Sequence, residues 1–296
     1  IQEEHVTQSD MEFEVNILKA YLALNSEFTH KQNMAFESTK DLDIDIRIPM
    51  MLFCAHFPIS DKTNYQIDEI WITQMIKSIY LFIFLDSNTK TKPLLNAFLT
   101  TFNRNTWQDY LKSFLPLTMT VIKDEKETFT DFIVTPGSEF AKDCEFIENL
   151  IVQEGEHIDT DDFITIRKQP FYKVGEGIYR IIYNLFVVEK IFKGVYFLLR
   201  EVNDRLDPST KIKDLKGFYG DEYSEKVLCY KVIESIYPNR CIRFSGEELK
   251  NMKIEAAPDY YVRQGKNILL FESKDFLISV DKKMSFNFEV YEKEFG

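Results

Sequence analysis

The chain has 296 residues, with 36 Lys and Arg against 48 Asp and Glu, a formal net charge of −12. An apolar share of 45% and an aromatic share of 15% suffice for packed cores and exclude a wholly disordered chain; 10 Gly and 9 Pro exclude a collagen-like or linker-type one. At roughly 100–200 residues per domain, the length predicts about two domains.

Residues 11–28 carry Phe13, Ile17, Leu18, Tyr21, Leu22 and Leu24 near helical spacing and predict a helix. Residues 43–48 alternate apolar with charged, the strand period, and 50–57 continue the strand after Pro49. Long helices are predicted over 65–85 and 93–115, a strand over 128–134 and a helix over 139–152. The polar, acidic stretch 154–162 predicts a domain boundary near residue 160. Strands over 163–167 and 179–183 flank Pro170 and a Gly175-Glu176-Gly177 turn, which lacks the context of a dinucleotide fingerprint. An apolar helix over 185–199, a basic linker over 203–217 and a helix over 221–237 follow. Ser245-Gly246-Glu247-Glu248 has the pattern of a helix N-cap. Strands are predicted over 259–262 and 268–273, and residues 286–290 have a strand-like pattern.

Charge is uneven along the chain. Residues 1–160 hold 13 Lys and Arg against 26 Asp and Glu, a net −13; residues 161–296 hold 23 against 22, a net +1. A polyanion is therefore expected on the C-terminal half, where Lys211, Lys213, Lys216, Arg240, Arg243, Arg263 and Lys266 are candidates for phosphate contacts. The acidic N-terminal half suits a protein partner. Cys54, Cys144, Cys229 and Cys241 form no C-x-x-C pair and read as reduced thiols of a cytoplasmic protein. His5, His30, His56 and His157 are scattered, and Trp71 and Trp107 read as core residues. The most apolar stretch, 70–85, contains Gln74 and Lys77 and is shorter than the ~20 residues of a membrane span, so no membrane partner is expected. Residues 1–20 lack the pattern of a signal peptide, and residue 1 is Ile, so no natural N-terminus is assumed.

The chemistry concentrates in one constellation. Pro258-Asp259-Tyr260-Tyr261-Val262 and Asn267-Ile268-Leu269-Leu270-Phe271-Glu272-Ser273-Lys274 flank a polar loop containing Gly265, which predicts a hairpin with a four-residue connection. If Val262 faces Asn267, Asp259 faces Leu270 and lies diagonal to Glu272, ~7–8 Å away. Glu272, Leu270 and Lys274 share that face, while Tyr260, Val262, Leu269 and Phe271 share the other and can enter a core. Two carboxylates so placed suit a hard divalent cation. Such an ion acidifies water and stabilises charge on an attacked phosphate, and Lys274 can steer that water. An exposed edge hairpin with Glu272 and Lys274 as a surface ion pair has the same sequence pattern.

Of five (D/E)-x-K triplets in the chain, only Glu272-Ser273-Lys274 ends an apolar strand behind a Pro-Asp. Pro258-Asp259 followed by Glu272-Ser273-Lys274 resembles the signature of the PD-(D/E)XK nuclease superfamily. The resemblance covers residues 218–280. It implies an α/β (α+β) restriction-endonuclease-like core within 161–296, beside a mostly helical N-terminal domain over 1–160. It implies Asp259, Glu272 and Lys274 as catalytic residues and Mg²⁺ or Mn²⁺ as cofactor, held by Asp259, Glu272 and the Ser273 carbonyl. A helix acid, Glu225 with Glu222 as the alternative, is implied as a further ligand. Such cores continue with another helix and strand, whereas only residues 275–296 follow Lys274 here.

The expected function is divalent-metal-dependent hydrolysis of phosphodiester bonds in DNA, with RNA the alternative substrate, in a restriction or anti-phage defence system. A homodimer is an expected arrangement. The rival expectation is a catalytically inactive nuclease-like module that binds nucleic acid or a protein partner.

Overall fold

The structure, a computed structural model, describes residues 8–60, 66–123, 131–133, 141–153, 163–237, 240–273, 278 and 280–295. It is a mixture of helices and two small antiparallel sheets, an α+β chain in the general sense. Two compact units form: Ile1–Tyr65 with Leu277–Gly296, and Gln66–Phe276.

In the first unit, helix Gln8–Ser38 extends beyond the periodicity that predicted it. The alternating stretch 43–48 is not a strand but opens helix Ile44–His56, with Pro49 inside it. Ile44, Ile46 and Ile48 are all exposed, and the buried face is Cys54 and Ala55. The alternation thus had no core to face, and a six-residue pattern without a core does not enforce a strand. Residues 286–290 likewise join a helix, Phe288–Phe295. Its Tyr291 and Phe295 rings pack on Phe53 and Phe57, with centroids 5.0–6.2 Å apart. This aromatic seam ties the chain's last residues to its first helices.

The second unit holds one large core that runs across residue 160. Leu81, Phe98, Tyr110 and Phe114 from one side share it with Phe171, Val188, Leu199 and Tyr223 from the other. The chain thus divides elsewhere than at residue 160, and the stretch 154–162 lies outside the described residues. Helix Ile67–Ser87 buries Ser78, Leu81, Phe82 and Leu85 in this core. It is also long and apolar enough, by length and composition, to cross a membrane. The single helix expected over 93–115 is two, Lys92–Thr101 and Trp107–Lys123. Asn103 takes a left-handed φ of 51°, and the Thr106 hydroxyl accepts from the Asp109 amide at 3.1 Å, restarting the helix.

Strand β1 (Asp131–Ile133), β2 (Phe171–Gly175) and β3 (Ile178–Ile181) form a sheet in the order β1-β3-β2. The remainder of 128–134 apart from β1 lies outside the described residues. Residues 163–167, expected as a strand, lie mostly in helix Ile164–Lys168, and the strand begins after Pro170 instead. There Phe171 is fully buried, and its amide and carbonyl bond Leu150 and Val152. Long-range pairing overrides the β-branched residues Ile164, Thr165 and Ile166.

The apolar helix expected over 185–199 breaks into Asn184–Glu189 and Lys193–Arg205. The break is held by side chains from distant helices. Ser78 donates to the Ile191 carbonyl at 2.6 Å, Tyr110 to the Lys190 carbonyl at 3.3 Å, and the Lys193 amide donates to Gln74 at 2.9 Å. These bonds satisfy main-chain groups that the interrupted helix leaves open.

Lys190 is buried at this break, and burial brings its ammonium down to about 8 from an ordinary 10.5. A base depressed on folding binds its proton less tightly in the native state. Its contribution to stability therefore rises as pH climbs from about 8 to 10.5. Lys190→Met is expected to raise the melting temperature at pH 7 and to flatten that rise, as measured by calorimetry across the pH range.

Candidate active site

The candidate residues sit in the second sheet and the helix packed on it. Strands β4 (Ile242–Ser245), β5 (Tyr260–Gln264) and β6 (Asn267–Phe271) form an antiparallel meander in that order. Sequence periodicity missed β4, since only three residues separate Cys241 from the helix cap at Ser245. Tyr260 and Val262 are buried and pack with Ile233 and Cys241, against Cys229, Tyr230, Tyr237 and Phe271. The face assigned to the core from alternation is the face that meets the helix.

The hairpin connection is two residues, not four. Gly265 takes φ 61° as the first turn residue, and Gln264 pairs with Asn267. Glycine is favoured there because a side chain is strained at positive φ. The expected register therefore moves by two residues, which leaves every side chain on its face. Tyr260 faces Phe271 in the last ladder pair, and continuing that register by one step would oppose Asp259 to Glu272 rather than set them diagonal. Opposed Cβ atoms lie ~4.5–5.5 Å apart in an ideal pair, closer than the sequence implied.

Asp259 is half-buried at the bend before β5. Its Oδ2 accepts from the Ser273 amide at 2.6 Å, stitching the two strand ends together. Gly246 positions it from behind. The Gly246 amide donates to the Asp259 carbonyl at 2.7 Å, and a Cβ on Gly246 would lie 3.0 Å from the Pro258 oxygen and 3.2 Å from Asp259 Cα. Gly246 opens a helix whose capping box is complete: the Glu248 amide donates to the Ser245 hydroxyl, and the Ser245 amide to Glu248.

The helix acids stand on an unusual segment. Residues Tyr219–Cys229 are π-helical and continue into helix Tyr230–Ile236. Such i→i+5 bonding is rare and is frequent at functional sites. On one side the segment is anchored to the large core, where the buried Tyr223 donates to the Lys77 carbonyl at 2.6 Å. On the other, Glu225 accepts from the Tyr230 hydroxyl, five residues on, at 2.7 Å. Glu222 instead pairs with Lys226 at 3.0 Å, and Lys226 also reaches Glu247 at 2.7 Å.

Two ionisable neighbours register where the acids converge. Burial pushes the Cys229 thiol up; a hydrogen bond with Ser273 opposes this, and the charges of Asp259 and Glu225 add to it. Burial also pushes the Tyr230 hydroxyl up, followed by its bond to Glu225 and the field of Asp259. Asp259 and Glu225 thus act on the same two side chains, with Ser273 beside them. Glu272 is exposed, and Lys274 lies outside the described residues. Among the described residues, no three His, Cys, Asp or Glu side chains gather as a metal cluster.

In donor chemistry, carboxylate oxygens of Asp259 and Glu272 suit a hard divalent ion, and both residues lie just beyond the last β5–β6 pair, Tyr260 with Phe271. Among the basic residues singled out from the sequence, Arg243 is spent on the Glu234 and Tyr237 carbonyls, while Arg240, Arg263 and Lys266 are exposed. Comparison of the chain with protein-family models, with curated proteins and with solved structures returns no match.

Gly246→Ala is expected to displace the Pro258-Asp259 backbone and cost about 1–3 kcal/mol, read from denaturant unfolding. Asp259→Asn removes a negative charge that opposes the Cys229 thiolate. The midpoint of Cys229 alkylation is therefore expected at lower pH in that variant than in the wild type, as followed by mass spectrometry.

Proposed function

We propose that this chain is a divalent-metal-dependent nuclease that hydrolyses phosphodiester bonds in DNA, with an active site of the PD-(D/E)XK kind. The observation that supports the reading is the β5–β6 register, whose last pair, Tyr260 with Phe271, immediately precedes Asp259 and Glu272 at one sheet end. A restriction-endonuclease-like core is in keeping with the order of elements: an acid-bearing helix precedes the meander, Pro258-Asp259 stands just before its second strand and Glu272-Ser273 just after its third. The setting, a cytoplasmic restriction or anti-phage defence system, rests on the resemblance.

In this reading Asp259 and Glu272 hold Mg²⁺ or Mn²⁺ with the Ser273 carbonyl, and Glu225 supports them through water. The ion supplies charge stabilisation at the phosphate and a more acidic water. The Ser273 amide holds Asp259 in place. Lys274 orients the attacking water as its oxygen bonds to phosphorus, the bond to the departing sugar oxygen breaks and that oxygen takes up a proton. Glu225 is preferred to Glu222, because Glu222 is committed to Lys226.

A second reading is a non-cleaving nucleic-acid or protein-binding module. It is favoured by the exposure of Glu272 and by the bonds already engaging Asp259 and Glu225.

Plasmid nicking with Mg²⁺ or Mn²⁺ separates the two. Asp259→Ala, Glu272→Ala and Lys274→Ala are each expected to lower the rate by about 10²–10³-fold. Salt-sensitive DNA binding by the wild type with no nicking under either metal sinks the nuclease reading in favour of the module.

A further inference from the structure

Strand β6 is the outer strand of its sheet, hydrogen-bonded to β5 alone among the described residues. Among the described residues, its edge has none of the usual protection. No charge, proline or bulge interrupts residues 267–271, and all five pair with β5 in unbroken register. Ile268, Leu269 and Leu270 are 55%, 39% and 64% exposed, on both faces of the strand. An open row of amides and carbonyls flanked by apolar side chains is a template for another strand.

The register identifies that strand. Gln264 and Asn267 close a two-residue turn and form a hydrogen-bonded pair, so bonding to β5 alternates from there. The main-chain groups of Ile268 and Leu270 then point to the free edge, with Lys266 in the turn and Glu272 just past the strand at its two ends. A second β6 running antiparallel bonds only where these outward residues meet one another.

Centring the two-fold on Leu269 sets Ile268 opposite Leu270 of the other copy and Lys266 opposite its Glu272. A two-fold on Ile268 would oppose Leu270 to Lys266. One on Leu270 would oppose Ile268 to Glu272 and Lys266 to Lys274. Only the Leu269 register matches apolar with apolar and gives two Lys266–Glu272 ion pairs, the self-complementarity that a two-fold interface requires.

We propose that two copies of this chain join edge to edge through β6, two-fold about Leu269, making one six-stranded sheet. The pairing stands on the strand's geometry whether or not the chain is a nuclease. If the nuclease reading holds, it also brings Lys266 of each copy beside Glu272 of the other.

Sedimentation of the full chain tests this without any activity measurement. The wild type is expected at twice its 35.0 kDa mass. Lys266→Glu or Glu272→Lys alone makes like charges face each other at both ends and is expected to weaken the dimer about tenfold or more, some 1.4 kcal/mol. The combined exchange rebuilds both pairs with reversed sign and is expected to restore association to within about threefold. Leu269→Lys, checked for folding by circular dichroism, is expected to be monomeric. A wild type that stays monomeric, single charge reversals that leave association unchanged, a double exchange that fails to restore it, or a folded Leu269→Lys dimer each overturns the proposal. The first outcome would leave the edge to a strand from a different protein.

Discussion

The site depends on one hydrogen-bonding register. Gly265 at positive φ closes β5 onto β6 over two residues, and from that pairing the opposition of Asp259 and Glu272 follows by counting. Strands have a period of two, so a slip of one residue would carry Tyr260 and Val262 out of the core and expose them. A slip of two keeps the faces and changes only which residues meet. The two-residue turn makes that second choice, and it brings the carboxylates closer than a four-residue loop would.

The register in turn relies on how the sheet end is supported. The Ser273 amide on Asp259 joins the two strands beyond their last ladder pair. Gly246 lets the helix after β4 approach the Pro258-Asp259 backbone so closely that a Cβ would lie 3.0–3.2 Å from it. The π-helical segment completes the arrangement. Tyr223 fixes one side to the large aromatic core, while wide turns align Glu225 with Tyr230. Burial holds the protons of half-buried Cys229 and Tyr230 more tightly, and the charges of Asp259 and Glu225 add to that effect.

The outer strand carries the complementary feature. β6 lends its inner side to the core through Phe271 and its outer edge to nothing within its sheet, although three large aliphatic residues stand along it. A strand whose ends carry Lys266 and Glu272 at equal distances from Leu269 is symmetric in the way that a two-fold contact needs.

Much of this hairpin was legible in the chain itself. Alternation separated the Tyr260, Val262 and Phe271 face from the Asp259 and Glu272 face because one of them is buried, and burial enforces the pattern. The cap at Ser245 was legible because its bonds are local. Where no core stood behind a pattern, as at residues 43–48, alternation was empty and a helix formed. The break at Lys190, the start of β2 after Pro170 and the short strand β4 depend on partners far along the chain, among them Ser78, Tyr110 and Leu150. The split of the chain into units was illegible for the same reason: the aromatic residues after 285 pack on helices near the start, and the large core ignores residue 160. Local sequence thus determined the faces, the cap and the candidate acids. Tertiary structure alone decided the turn length, the π-helical winding and the approach of Gly246 to Asp259, because packing and long-range pairing set each of them.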